Sequence, residues 1–120
     1  DKDSAAFKSC FARACREVLI DHLRRRFALK REGGRRHGAL AEGSKVAIDP
    51  SLTFLALDEA LELLGRKDKG LERIAEMGIY GGMSPMEISR ELGMEEKAVG
   101  PALRFALAWL GQHFAKESQQ

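Results

Sequence analysis

Clustered basic side chains are the most suggestive feature of this sequence. Arg24, Arg25, Arg26, Lys30 and Arg31 crowd into the stretch LRRRFALKR, with Arg35 and Arg36 close behind. Cations repeated along a helix and the chain after it can follow and neutralise a phosphate backbone. A sparser set, Arg90, Lys97 and Arg104, lies in the C-terminal third. Lys97 and Arg104 are the expected contacts of a helix laid in a DNA groove, with Arg90 on a phosphate. Trp109 and Phe114 lie near the end of the same segment. Aromatic side chains there suit docking on a protein partner.

Other chemistry finds little support. Asp58/Glu62 and Glu87/Glu91 are i,i+4 acidic pairs able to share a helix face. No nucleophile, Gly-rich phosphate cradle or metal trio accompanies them, so neither catalysis nor a cofactor is expected. Cys10 and Cys15 lack the spacing of a metal knuckle or redox pair and read as small buried hydrophobes. His22, His37 and His113 are dispersed, without Cys, Asp or Glu spaced beside them as ligands.

The segments that carry these side chains read as helices. Residues 5–31 carry Phe7, Phe11, Ala14 and Val18 on a three-or-four-residue period that continues through Leu19, Leu23 and Phe27. Such a helix is about 40 Å long, more than a small core can cover, so part of it needs a partner. The stretch EGGRRHGALAEGSKVAIDP (32–50) has four glycines and a proline without sustained periodicity and reads as a linker. Its KVAI has no second strand to pair with and reads as coil.

Four helical segments follow. Leu57, Leu61 and Leu64 predict a helix over 52–64 with Gly65 as its stop. Leu71, Ile74 and Ala75 predict one over 69–78, ending in the loop GIYGG. Ser84, Pro85 and Glu87 form a capping box with Pro at N1, ahead of Ile88 and Leu92, and Gly93 ends that helix. The last segment runs to about 115. Pro101 follows Gly100 and has no N–H to give to residue 97, so the regular start is expected at Pro101 itself. The expected core is Leu57, Leu61, Leu64, Ile74, Ile79, Ile88, Leu92, Val99 and Leu103. The fold class is therefore all-α: a long N-terminal helix plus a four-helix region containing a helix-turn-helix.

Charge divides the chain. Residues 1–45 carry 12 Lys/Arg against 6 Asp/Glu, and residues 46–120 carry 8 against 12, which points the two parts at different partners. Within 84–116 four basic residues face four acidic ones, so this segment lacks the excess of cations from which DNA binding draws much of its strength. Hydrophobic residues make up 44% of the 120, ordinary for a folded domain, and no apolar run approaches the length of a membrane span. A cytoplasmic protein is expected.

Three stretches in order, REVLIDHLRRRFALKREGG (16–34), LDEALELL (57–64) and IYGGMSPMEISRELGMEEKAVGPALRFALAWL (79–110), carry a family resemblance. Over 5–116 the chain resembles the C-terminal half of a bacterial RNA polymerase sigma factor of the extracytoplasmic-function group. The resemblance implies that residues 1–35 correspond to the end of region 2, which contributes to reading the −10 promoter element. It makes 36–50 the linker and 51–120 region 4, which reads the −35 element and docks on the flap of the polymerase β subunit. Where the family has a Thr-Val-Lys-type entry to the recognition helix, this chain has Ala98, Val99, Gly100 and Pro101. Two readings stay open: a sigma-factor-like regulator acting at RNA polymerase or promoter DNA, and a protein-binding regulator that competes with or restrains a sigma factor. The partners implied are the polymerase core, a sigma or anti-sigma protein and promoter DNA, and the length of the first helix leaves room for a homodimer.

Overall fold

A computed structural model gives the backbone of residues 2–33 and 50–118 and the side chains of residues 3–29 and 52–113. Its described elements are helices: α1 (Lys2–Gly33), α2 (Pro50–Lys67), α3 (Lys69–Gly81), α4 (Pro85–Leu92) and α5 (Glu96–Ser118). The all-α class with one long N-terminal helix is met. The KVAI segment and the linker residues 34–49 lie outside the described residues.

Local chemistry sets the boundaries. Asp68 caps α3, its Oδ1 accepting from Gly70 N at 2.8 Å and Leu71 N at 3.2 Å. Ser84 caps α4: its Oγ accepts from Glu87 N at 3.2 Å, and Glu87 Oε1 accepts from Ser84 N at 3.0 Å, completing the expected capping box. Gly82 (φ 61°) ends α3 and Gly93 (φ 69°) ends α4, both in the left-handed region that costs glycine least.

Three boundaries differ from the sequence expectation. α2 runs through Gly65 to Lys67, so Gly65 is no stop. Instead it leaves room for Glu72, whose carboxyl group a Cβ at Gly65 would strike. α3 continues through Gly78, Ile79 and Tyr80 to Gly81, because Ile79 and Tyr80 pack against an apolar cluster and reward the extra turn. α5 starts at Glu96 and carries Pro101 inside it. Glu95 O accepts from Ala98 N at 2.9 Å and Val99 N at 3.2 Å, nucleating the first turn ahead of the proline. Val99 is fully buried and Pro101 exposed. Packing of Val99 thus outweighs the hydrogen bond that Pro101 cannot make to residue 97.

Two apolar clusters hold the helices. Ala5, Ile74, Met77, Met83, Ile88 and Val99 join α1, α3, α4 and α5, with Leu92, Ala102 and Leu103 packed against them. Ala60, Leu61, Leu64, Ala75, Ala106 and Leu110 join α2, α3 and α5, flanked by Leu57, Ile79 and Trp109 among others. All nine expected core residues fall in or against these clusters.

α1 lies mainly on α3 and also touches α4 and α2. Its buried register is Ala5, Ser9, Ala12, Arg16, Ile20 and Leu23. The close approach depends on Gly81, where a Cβ would come within 3.2 Å of both Ala12 Cβ and Lys8 O. The large apolar residues Phe7, Phe11 and Val18 face outward, 69%, 49% and 69% exposed. Cys10 is exposed and Cys15 half-buried, so the expectation of buried thiols is not met. Both lie off the inward register.

Lys8 Nζ meets Glu87 Oε2 at 2.6 Å, tying α1 to the first turn of α4. The hydrogen bond from Lys8, aided by the Ser84 backbone, holds the Glu87 carboxyl below the ordinary carboxylate value of 4.5. A depressed folded-state value gives stability that is present above the unfolded value and lost as pH falls through the folded one. Glu87→Gln is therefore expected to flatten the part of the stability profile that lies below about pH 5. Chemical denaturation of parent and variant at a series of pH values checks it.

Candidate nucleic-acid interface

The outer face of α5 is set by what the inner face buries. Val99, Ala106 and Leu110 are buried, at positions seven and four apart. Opposite them, Lys97, Pro101, Arg104, Phe105 and Ala108 are exposed. Lys97 and Arg104 are seven residues apart, on one face and about 10 Å apart along the axis. Gly100 lies between them, and a Cβ there would meet only Arg104 Nη1, at 3.7 Å. The continuity of α5 through Pro101 therefore brings these two cations together. Arg90 is exposed in the last turn of α4.

Acidic groups border this face. Glu95 and Glu96 are exposed at the leading edge of α5. Glu87, through Lys8 and the cap, is engaged in holding structure.

The basic end of α1 is only partly open. Arg24 Nη2 donates to Asp58 Oδ2 at 3.2 Å, though its side chain remains 59% exposed. Arg25 pairs with Asp21 one turn earlier, at 3.0 Å, and points to solvent. Arg26 is exposed. Lys30 and Arg31 belong to α1 by backbone, but their side chains, and all of Arg35 and Arg36, lie outside the described residues. Trp109 is half-buried against the second cluster and stacks on His113, with ring centroids 5.4 Å apart. The side chain of Phe114 lies outside the described residues.

Sequence reasoning missed a buried charge hub between α1, α2 and α3. Arg16 Nε donates to Asp58 Oδ1 at 2.7 Å, and its Nη1 lies 3.0 Å from Glu76 Oε1 and 3.1 Å from Glu72 Oε2. Arg16, Asp58 and Glu76 are 8%, 4% and 5% exposed. Arg73 donates to Glu76 Oε2 at 2.7 Å and to Ser9 Oγ. Arg13 and Arg24 complete the α1 side. Burial works against the Arg16 charge, but hydrogen bonds to Asp58 and Glu76 more than offset it and hold the guanidinium above its ordinary value. The signal was available: Arg16 occupies the inward register of α1, where an unpaired charge could not stay. A charged cleft of about 590 Å³ opens over the hub.

No group of three or more His, Cys, Asp or Glu among the described residues could hold a metal ion. None of the described helices is long and apolar enough to cross a membrane. Neither a curated protein nor a solved structure gives a significant match to the chain. A family model described as ECF sigma factor does, over residues 2–116. With nearly the whole length covered, the chain belongs to the ECF sigma factor family, and it is a non-catalytic regulator of transcription that acts at RNA polymerase or promoter DNA.

Proposed function

We propose that the chain reads promoter DNA with α4 and α5 acting as a helix-turn-helix. The observation that carries this is the single exposed face of α5 bearing Lys97 and Arg104, kept in register through Pro101 by buried Val99. In this reading α5 enters the major groove with those two side chains toward base edges and Arg90 toward a phosphate. Arg24, Arg25, Arg26, Lys30 and Arg31 supply further phosphate contacts, and residues 1–35 stand for the end of region 2, 36–50 for the linker and 51–120 for region 4. The test is a titration against a pool of randomised duplexes at several salt concentrations. A selected sequence is expected, with Lys97→Glu plus Arg104→Glu weakening it about tenfold or more and flattening the salt slope. Binding no tighter than about 0.1 mM to every duplex would overturn direct readout.

A gain-of-function variant probes the same face. Gly100→Lys with Pro101→Arg adds two cations to a helix that is already continuous and restores the N–H that Pro101 lacks. Duplex affinity is expected to rise several-fold and the salt slope to steepen by about 2. Unchanged affinity in the same titration would place this face away from the groove.

A second reading is favoured by Glu95 and Glu96 at the leading edge of α5 and by the engagement of Arg24 with Asp58. Here the protein works through protein contacts alone, on the polymerase core or on a sigma or anti-sigma protein, with Trp109 and Phe114 at the docking end. A stoichiometric partner that survives nuclease treatment in a pull-down supports this reading. Loss of every partner on nuclease treatment sinks it.

A further inference from the structure

α1 is apolar on two opposite sides. One side, through Ala5, Ala12, Ile20 and Leu23, is buried against the other helices. The other presents Phe7, Phe11, Ala14 and Val18 at spacings of four, three and four residues, the repeat that lets two helices interlock along a seam. Phe7 and Phe11 stack on each other with ring centroids 6.1 Å apart. The shallow apolar trough beside them is lined by α1 residues alone. No other described element reaches across this face.

We propose that a second copy of this chain covers the stripe, with the two α1 helices antiparallel. Size and charge both select this occupant and its direction. An antiparallel pair with its two-fold axis between Phe11 and Ala14 sets Phe7 opposite Val18 and Phe11 opposite Ala14, so each large side chain meets a smaller one. A parallel pair sets Phe on Phe and Ala on Ala, which splays one end and leaves a gap at the next layer.

Charge points the same way. The stripe ends at the Asp21–Arg25 ion pair, and the basic run Arg24–Arg26 begins there. Parallel helices would lay two such runs side by side. Antiparallel helices place them about 38 Å apart. The surface is thus self-complementary about a two-fold axis, which is what a closed dimer requires. This inference stands independently of the DNA reading.

Sedimentation velocity on the intact chain tests the pairing. At about 100 µM the parent is expected at about twice the 13.3 kDa chain mass, dissociating on dilution. Phe11→Glu with Val18→Glu alters side chains outside both apolar clusters, so helical signal and melting are expected to persist while the species becomes monomeric. Orientation is read from a spin label on Ala28→Cys in a Cys10→Ser, Cys15→Ser background. The antiparallel pair predicts a label separation of about 47 Å, and a parallel one about 15 Å. A monomeric parent, a dimer that survives the double Glu change, or the short separation would each overturn the proposal.

Discussion

Arg16→Ala is expected to destabilise the fold by about 3–5 kcal/mol, the usual cost of removing one partner from a buried ion pair. The variant strands Asp58 and Glu76, both nearly inaccessible, with Glu72 beside them. Arg73 and Arg24 still reach Glu76 and Asp58, but from the rim, so they offset only part of the loss. Urea denaturation measures the effect. Arg16→Met with Asp58→Leu and Glu76→Leu is the informative companion, because an apolar replacement of similar volume is often neutral or stabilising. If the single variant is as stable as the parent, α1 does not rest on α2 and α3 through this hub.

Ile88→Ala is expected to cost about 2–5 kcal/mol, against about 0.5–1.5 for Ile88→Val. Ile88 is fully buried and anchors α4 within the cluster that also contains Val99. Its truncation leaves a cavity between the two helices of the proposed reading motif, and their relative angle is what aims Lys97 and Arg104. Duplex affinity should therefore fall in Ile88→Ala even where most molecules remain folded, a coupling that native-state hydrogen exchange and the DNA titration can follow together. Equal stability of the Ala and Val variants would show that the site collapses around the missing atoms.

Periodicity and capping made most of the fold legible. Ser84, Pro85, Glu87 and Gly93 mark α4 without ambiguity, because a capping box and a left-handed stop are local devices written in neighbouring residues. The nine core residues were equally readable from their spacing. What local rules could not decide was competition with distant partners. Pro101 reads as a helix start until the burial of Val99 is known, and Gly65 reads as a stop until Glu72 folds over it. The Arg16 hub joins residues 42 and 60 positions apart, so the pairing of its charges is visible only in three dimensions. On the proposed interface, residue identities pointed to Lys97 and Arg104, but their shared face depends on α5 being continuous.

The Glu87 carboxylate joins two parts of the molecule with its two oxygens. Oε1 closes the cap of α4, and Oε2 receives Lys8 from α1. If α1 leaves while the cap persists, the stronger of the two influences on its acidity goes and the weaker remains. The titration midpoint of this one group, followed by carbon-13 NMR, therefore shifts upward as the long helix departs. The protein carries its own indicator of whether α1 is seated, readable in free chain and in complexes without an attached probe.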